Sequence, residues 1–246
     1  VLNAGSSTVR GLVIGRFQFD AISIGTAGGN TIAGNYLGTD VTGLQARPNR
    51  YGIYVYNSSN NQIGGVTLAD RNVISANNSG GVYIVGTANS GGSNTIQGNF
   101  IGVGSDGVTA LANKAQGLII SSPSNTIGGT TSTIPTGPCS GACNVISSNL
   151  SSGILLEANV PNTVIQGNYI GADVSGSLLR RNQRDGIEFN SGGNNIQIGG
   201  VTPSARNVIS GNSRGEIFVR GTAHSGITIQ GNYLGLNASG SRALGN

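Results

Sequence analysis

The chain's acid–base, nucleophilic and metal-ligating groups are few: nine carboxylates, one histidine and two cysteines. Cleavage of a polysaccharide needs two or three acidic groups within a few ångströms of one bond. The nine acids are Asp20, Asp40, Asp70, Asp106, Glu157, Asp173, Asp185, Glu188 and Glu216, and no two are adjacent in sequence. Any acidic cluster must therefore be assembled by folding. Asp40-x-x-Gly43 and Asp173-x-x-Gly176 recur, but one carboxylate per loop is too few oxygens for calcium, and an Asx-type turn explains them more simply. No cofactor is expected; calcium at these loops is the only candidate. Cys139 and Cys143 with a distant His224 make a poor zinc set, so no metal site is expected. The Cys pair reads as a small disulfide pinning a loop, with two buried thiols as the alternative.

The elements that would position these groups come from self-comparison. A short motif centred on Ile or Val recurs at Val9, Ile32, Ile63, Ile96, Ile127, Ile165, Ile198 and Ile229. A second follows it, from Asn35-Tyr-Leu-Gly to Asn232-Tyr-Leu-Gly, and a third precedes it, such as Gly52-Ile-Tyr-Val. The segments are too short for crossover helices, so the chain must wind, each strand pairing with its counterpart one coil away. The reading is an all-β chain, a right-handed parallel β-helix with three short strands per coil. Eight coils stacked at about 4.8 Å give a rod about 38 Å long. Residues 1–246 are read as a single β-helix segment. Insertions alternate between two corners, so the full repeat is two coils, 64 residues from Ile32 to Ile96 and again from Ile165 to Ile229. Asn35, Asn72, Asn99, Asn144, Asn168, Asn207 and Asn232 open seven consecutive third strands. One residue type at one spacing reads as an Asn ladder along the stack rather than a site.

Winding also brings residues together. On the first strand, alternate residues point outward. One outward row reads Ser23, Tyr54, Tyr83, Ile119, Leu155, Glu188 and Phe218, and the next includes Tyr56, Glu157 and Arg220. Glu157 and Glu188 fall on neighbouring coils, about 6–8 Å apart, a separation suited to acid/base work. No orienting His or metal cluster accompanies them, so solvated side chains are the plainer reading. Tyr54, Tyr56, Tyr83, Ile119, Leu155 and Phe218 form an exposed apolar and aromatic strip of the kind that contacts a ligand. Insertions after the third strand carry Arg50, Arg181 and Arg184, which with Arg220 would rim that strip for an acidic polysaccharide. The alternative is that the insertions cover it.

The elements Asn30-Thr-Ile-Ala-Gly-Asn35, Asn94-Thr-Ile-Gln-Gly-Asn99 and Asn207-Val-Ile-Ser-Gly-Asn212 resemble those of right-handed parallel β-helix repeat proteins, large bacterial secreted or surface proteins with pectate-lyase-like folds. That resemblance implies an extracellular or cell-surface setting. It leaves open lyase, hydrolase, epimerase or adhesin roles. The Asp-Pro-His-Asp signature of the alginate epimerases and the acidic pairs of the polygalacturonase-like enzymes are absent.

Composition agrees with a solenoid. Gly supplies 43 residues, charged residues 9%, and Met and Trp are missing. Hydrophobic residues at 37% with so little charge exclude disorder. A net charge of +4 is mild for a nucleic-acid binder, and no apolar run is long enough to span a bilayer, so neither partner is expected. The chain opens on Val1 without an initiator Met or signal peptide, so it is expected to be a fragment of a longer one. Neither end carries a polar capping repeat, which predicts end-to-end association. The leading expectation is a non-catalytic structural or adhesive rod presenting a face to polysaccharide or to other surface chains. A polysaccharide lyase or glycoside hydrolase using Glu157 and Glu188 is the alternative.

Overall fold

A computed structural model describes residues 1–246 except 88–89, 158–159, 192, 222–223 and 246. The described residues form three parallel sheets. The first has seven strands, from Ile22–Ile24 to Gly215–Val219. The second has eight, from Thr8–Arg10 to Thr228–Gln230. The third also has eight, from Val13–Ile14 to Tyr233–Leu234. Each strand pairs only with its counterparts one coil before and one coil after, which defines a parallel β-helix.

The register follows the repeat read from the sequence. Val9 pairs with Ile32, Ile32 with Ile63, and the row continues to Ile198 and Ile229. Inward strand positions are β-branched or Leu, with Phe189 the exception, which suits a pleated surface packed on its neighbours. Ile32, Ile53, Ile63, Ile84 and Ile96 are fully buried in one continuous core, which opens only at the terminal coils, where Val9 is half-buried and Ile229 exposed. A single coil could not bury this face, so stability accumulates between neighbouring coils.

The corners hold polar ladders. In the expected ladder, each Asn amide donates from Nδ2 to Oδ1 of the next, from Asn35 to Asn232, at 2.8–3.1 Å. Each Oδ1 also accepts the backbone N–H of the preceding Asn, as Asn144 does from Asn99 at 2.9 Å. Two further ladders were not read from the sequence. Asn30, Asn61, Asn94 and Asn125 line the corner before the second strand. Asn49, Asn77, Asn113, Asn149, Asn182 and Asn212 line the corner after the third. The latter passes to Glu216, whose Oε2 accepts from Asn212 Nδ2 at 2.6 Å. A bend interrupts sheet pairing, and these amides supply the buried backbone groups with partners there.

The two-coil repeat has a physical cause on the outer face of the third sheet. That outward row reads Val13, Tyr36, Val73, Phe100, Val145, Tyr169, Val208 and Tyr233. Every aromatic coil carries a hairpin insertion, closed by the bridges Thr39–Ala46, Val103–Ala110, Ala172–Leu179 and Leu236–Ala243. The hairpins fold back over this sheet and make a second apolar layer with Phe100, Val145 and Tyr169. This corrects the expectation that they run into the first sheet. Gly107 shows why each turn needs glycine: its φ is +68°, and an added Cβ would lie 2.6 Å from Val174 Cβ and 2.9 Å from the Phe100 ring. Hairpins two coils apart also bond to each other, as Val174 N–H does to Gly107 O at 3.0 Å.

Candidate binding face on the first sheet

Strand register places the outward row of the first sheet as the sequence ordered it: Ser23, Tyr54, Tyr83, Ile119, Leu155, Glu188 and Phe218. Its exposure differs from the expected strip. Ile119 and Leu155 are buried, at 7% and 8% exposure. Tyr54, Tyr83 and Phe218 are half-buried, and Tyr56 is 49% exposed. The rings do converge. Tyr51, Tyr54 and Tyr83 form a cluster with centroids 5.5–6.1 Å apart, and Tyr54 meets Tyr83 edge-on. Tyr51 lies two residues before the strand Ile53–Tyr56 and was not singled out in the sequence. Its row in the repeat, which also contains Asp20 and Asp185, was the available signal. A depression of ≈ 380 Å³ lies beside Tyr54 and Tyr56, with Phe19, Asp20 and Arg50 on its other side.

The two candidate catalytic carboxylates have different surroundings. Glu157 accepts a hydrogen bond from the Tyr83 hydroxyl at 3.3 Å. Burial first, and then the Glu157 charge, push the Tyr83 pKa up to about 12. Glu188 is not a surface carboxylate: it is 4% exposed. Ser152 Oγ donates to its Oε2 at 2.6 Å, Arg184 Nη2 donates to its Oε1 at 3.1 Å, and Arg220 stands 3.8 Å away. Burial follows from the strand geometry, since Leu155 and Phe218 flank Glu188 on the neighbouring strands.

Asp185 was not foreseen. It opens the strand Asp185–Phe189 with its side chain 1% exposed. Neither oxygen has a hydrogen-bond donor, and Arg214 Nη1 stands 3.4 Å from Oδ2. Burial raises its pKa, Arg214 opposes that, and Glu188 adds to it. Three arginines thus surround two buried carboxylates at this end of the face. Arg214 and Arg220 also lie over the Phe218 ring, 4.1 and 5.4 Å from its centroid.

The expected basic rim is therefore largely neutralised. Arg50 grips Asp20 through two bonds of 2.8 Å. Arg184 and Arg220 serve Glu188. Arg181 reaches away from this face, to the carbonyls of Gly211 and Gly245.

Other candidate groups have structural partners. Asp40 Oδ1 accepts from the N–H groups of Thr42 and Gln45, and Asp173 Oδ1 from those of Ser177 and Leu178, so both close turns. Among the described residues, no group of three or more His, Cys, Asp or Glu could hold a metal ion. His224 Nδ1 accepts from the Gly193 N–H at 3.1 Å, and its ring packs edge-on against Phe189. Cys139 and Cys143 are joined in a disulfide and pack with Tyr169 in the outer layer.

These features define a parallel β-helix solenoid, a repeat protein with asparagine ladders at its corners. No family model matches the chain, and no curated protein matches it. Among solved structures, the chain was compared with HetL, a pentapeptide repeat protein involved in heterocyst differentiation regulation from the cyanobacterium Nostoc sp. strain PCC 7120. That comparison covers 94% of this chain and 91% of HetL at 8% identity, with a TM-score of 0.19, a likeness too low to bear on fold or function.

Proposed function

We propose that the chain is a non-catalytic extracellular or surface rod whose first-sheet face binds a glycan. The observation that carries this reading is the Tyr51–Tyr54–Tyr83 cluster with Tyr56 half-exposed beside it. Aromatic rings offer an apolar surface to the C–H face of a sugar, and their hydroxyls offer polar contacts. The solenoid holds them at fixed coil spacing, so little ordering is required on binding. Ion pairing of Arg50 with Asp20 favours a neutral glycan at this face over an acidic one. The Cys139–Cys143 disulfide supports an oxidising compartment.

The alternative, hydrolysis or lysis by Glu157 and Glu188, has less support. A general acid needs access to the glycosidic oxygen, and Glu188 is buried with both oxygens engaged. Glycan-array binding followed by product analysis tests the choice. Binding without turnover, weakened about tenfold or more in Tyr56→Ala, is expected, since an aromatic contact contributes about 0.5–1.5 kcal/mol beyond its buried area. Turnover that disappears in Glu157→Gln would favour an enzyme.

A further inference from the structure

A recess of ≈ 430 Å³ opens on the corner after the third strand. It exists because hairpins sit on every second coil. The hairpins at Val103–Ala110 and Ala172–Leu179 flank a coil that carries none, and Ser148 and Leu150 of that coil line the gap. Ala110 and Ala112 form one apolar wall, and Leu150 is 51% exposed. Arg180 and Arg181 line the other side.

Among the described residues, no ion pair neutralises the two arginines at this recess. The five ion pairs among the described residues use Arg10, Arg50, Arg184, Arg214 and Arg220, but neither Arg180 nor Arg181. Arg180 donates to the Leu179 and Val108 carbonyls. Arg181 makes two long bonds of 3.4 Å to carbonyls. Glu216 feels the Arg181 charge, yet its oxygens are engaged by the Gly211 N–H and Asn212 Nδ2. Ser148 is 7% exposed, and its hydroxyl has no hydrogen-bond partner.

The repeat shows that these residues are not demanded by the fold. Each precedes an Asn of the same ladder, and that row reads Pro48, Ala76, Ala112, Ser148, Arg181 and Gly211. Alanine fills the position in two coils. A serine and an arginine therefore replace small apolar residues where the recess opens. A buried hydroxyl without a partner costs stability, so a ligand that engages it, once the Ser148 side chain turns towards the recess, recovers that loss.

We propose that this recess binds a small organic carboxylate with an apolar face, the chemistry of a uronic acid. The Arg180–Arg181 pair would take the carboxylate, Ser148 a hydroxyl, and the Ala110, Ala112 and Leu150 wall the apolar side. The site lies away from the tyrosine face and does not depend on the glycan-binding reading given above.

Titration of the whole chain with D-glucuronate, with glucose as the neutral control, followed by amide NMR shifts, tests this. Glucuronate is expected to shift the amides of Ala112, Ser148 and Arg181 and to bind at least about tenfold more tightly than glucose, as a charge-assisted pair implies. Arg181→Ala should weaken binding about tenfold or more. Ser148→Ala should weaken it severalfold while leaving the unfolding midpoint unchanged or raised, since alanine already occupies that row. Tyr54→Ala should leave glucuronate binding intact, which separates this site from the first-sheet face. Equal binding of glucose and glucuronate, or undiminished glucuronate binding by Arg181→Ala, would overturn the proposal.

Discussion

The guanidinium carbon of Arg71 sits 4.0 Å from the centroid of the Phe100 ring, one coil further along the rod. Arg206 stands over Tyr233 in the same way, at 4.1 Å. Both donate from Nε to a carbonyl of that next coil, Gly98 or Gly231. Planar stacking and a fixed donor are properties of Arg that Lys lacks. Arg71→Lys is expected to lower stability by about 1 kcal/mol and Arg71→Ala by about 2 kcal/mol, through loss of the stack and of buried contact. Urea unfolding measures both. A Lys variant as stable as the parent would show that charge alone suffices.

Cys143 holds the equivalent position in the middle repeat, immediately before Asn144 as Arg71 precedes Asn72 and Arg206 precedes Asn207. There the disulfide takes over the clamp. Cys139 N–H donates to Val174 O at 2.7 Å, tying the loop to a hairpin, and the Tyr169 hydroxyl donates to Gly137 O. Cys139→Ser with Cys143→Ser is expected to cost about 2 kcal/mol for so short a loop. Limited proteolysis should then cut within residues 130–143 while the rest of the rod stays protected. Unchanged resistance of that loop would mean that the hairpin contacts hold it unaided.

Asn144 shows what a ladder position is worth. Its Oδ1 accepts from Asn99 N–H and Nδ2, and its Nδ2 donates to Ile96 O and to Asn168 Oδ1. Alanine there would leave several buried groups unpaired, each costing about 1–3 kcal/mol. Asn144→Ala is expected to lower stability by about 3 kcal/mol or more. Asn232→Ala, on the least buried rung, should cost less. Equal effects at the two positions, by urea unfolding, would argue that the ladder adds little beyond side-chain volume.

The repeat was legible because inward positions obey one rule in every coil: Ile32, Ile63 and Ile96 carry the same residue at the same place. The Asn35 ladder was legible for the same reason. The other two ladders were harder to see, because Asn49, Asn77 and Asn113 lie next to insertions of unequal length. The Val73, Phe100, Val145 and Tyr169 row was read as strand but not as a second packing surface, since alternation of size appears only once hairpins are placed on it. Charge was least legible. Arg184 and Arg220 were legible only as rim cations and Arg214 was not singled out, because their pairing with Asp185 and Glu188 depends on strand register and burial together.

Tyr83 provides a spectroscopic handle on the proposed face. Its pKa is pushed up to about 12, by burial first and by Glu157 second. A raised phenol pKa means that the folded state holds this proton more tightly than the unfolded chain. The associated stability is complete below about pH 10, the unfolded value, and is lost as pH rises towards 12. Burial also pushes Tyr169 up to about 12, so absorbance titration should show two late-titrating tyrosines in the parent and only that of Tyr169 in Tyr83→Phe, which isolates the Tyr83 signal. Glu157→Gln should move it down without restoring an ordinary value, since burial remains. No shift in Glu157→Gln would show that the 3.3 Å contact has no electrostatic consequence.

Asp185 carries the opposite kind of consequence, a cost at neutral pH. Its two oxygens are buried without a hydrogen-bond donor, and burial raises its pKa. A raised carboxylate pKa means that protonation favours the folded state. Stability attached to this group is therefore complete below about pH 4, the unfolded value, and is lost as pH rises through the folded value. Neighbouring coils place Ser152 and Gly215 in the same row, so a small residue fits there. Asp185→Ser is expected to be more stable than the parent at pH 7 by on the order of 1 kcal/mol, with Arg214 left partly solvated. That advantage should shrink as the pH approaches 4. Denaturant unfolding of both proteins between pH 4 and 7 measures the trend. A parent chain that is the more stable of the two at pH 7 would mean that attraction from Arg214 and Arg184 outweighs desolvation, and that the buried acid is an asset to the fold.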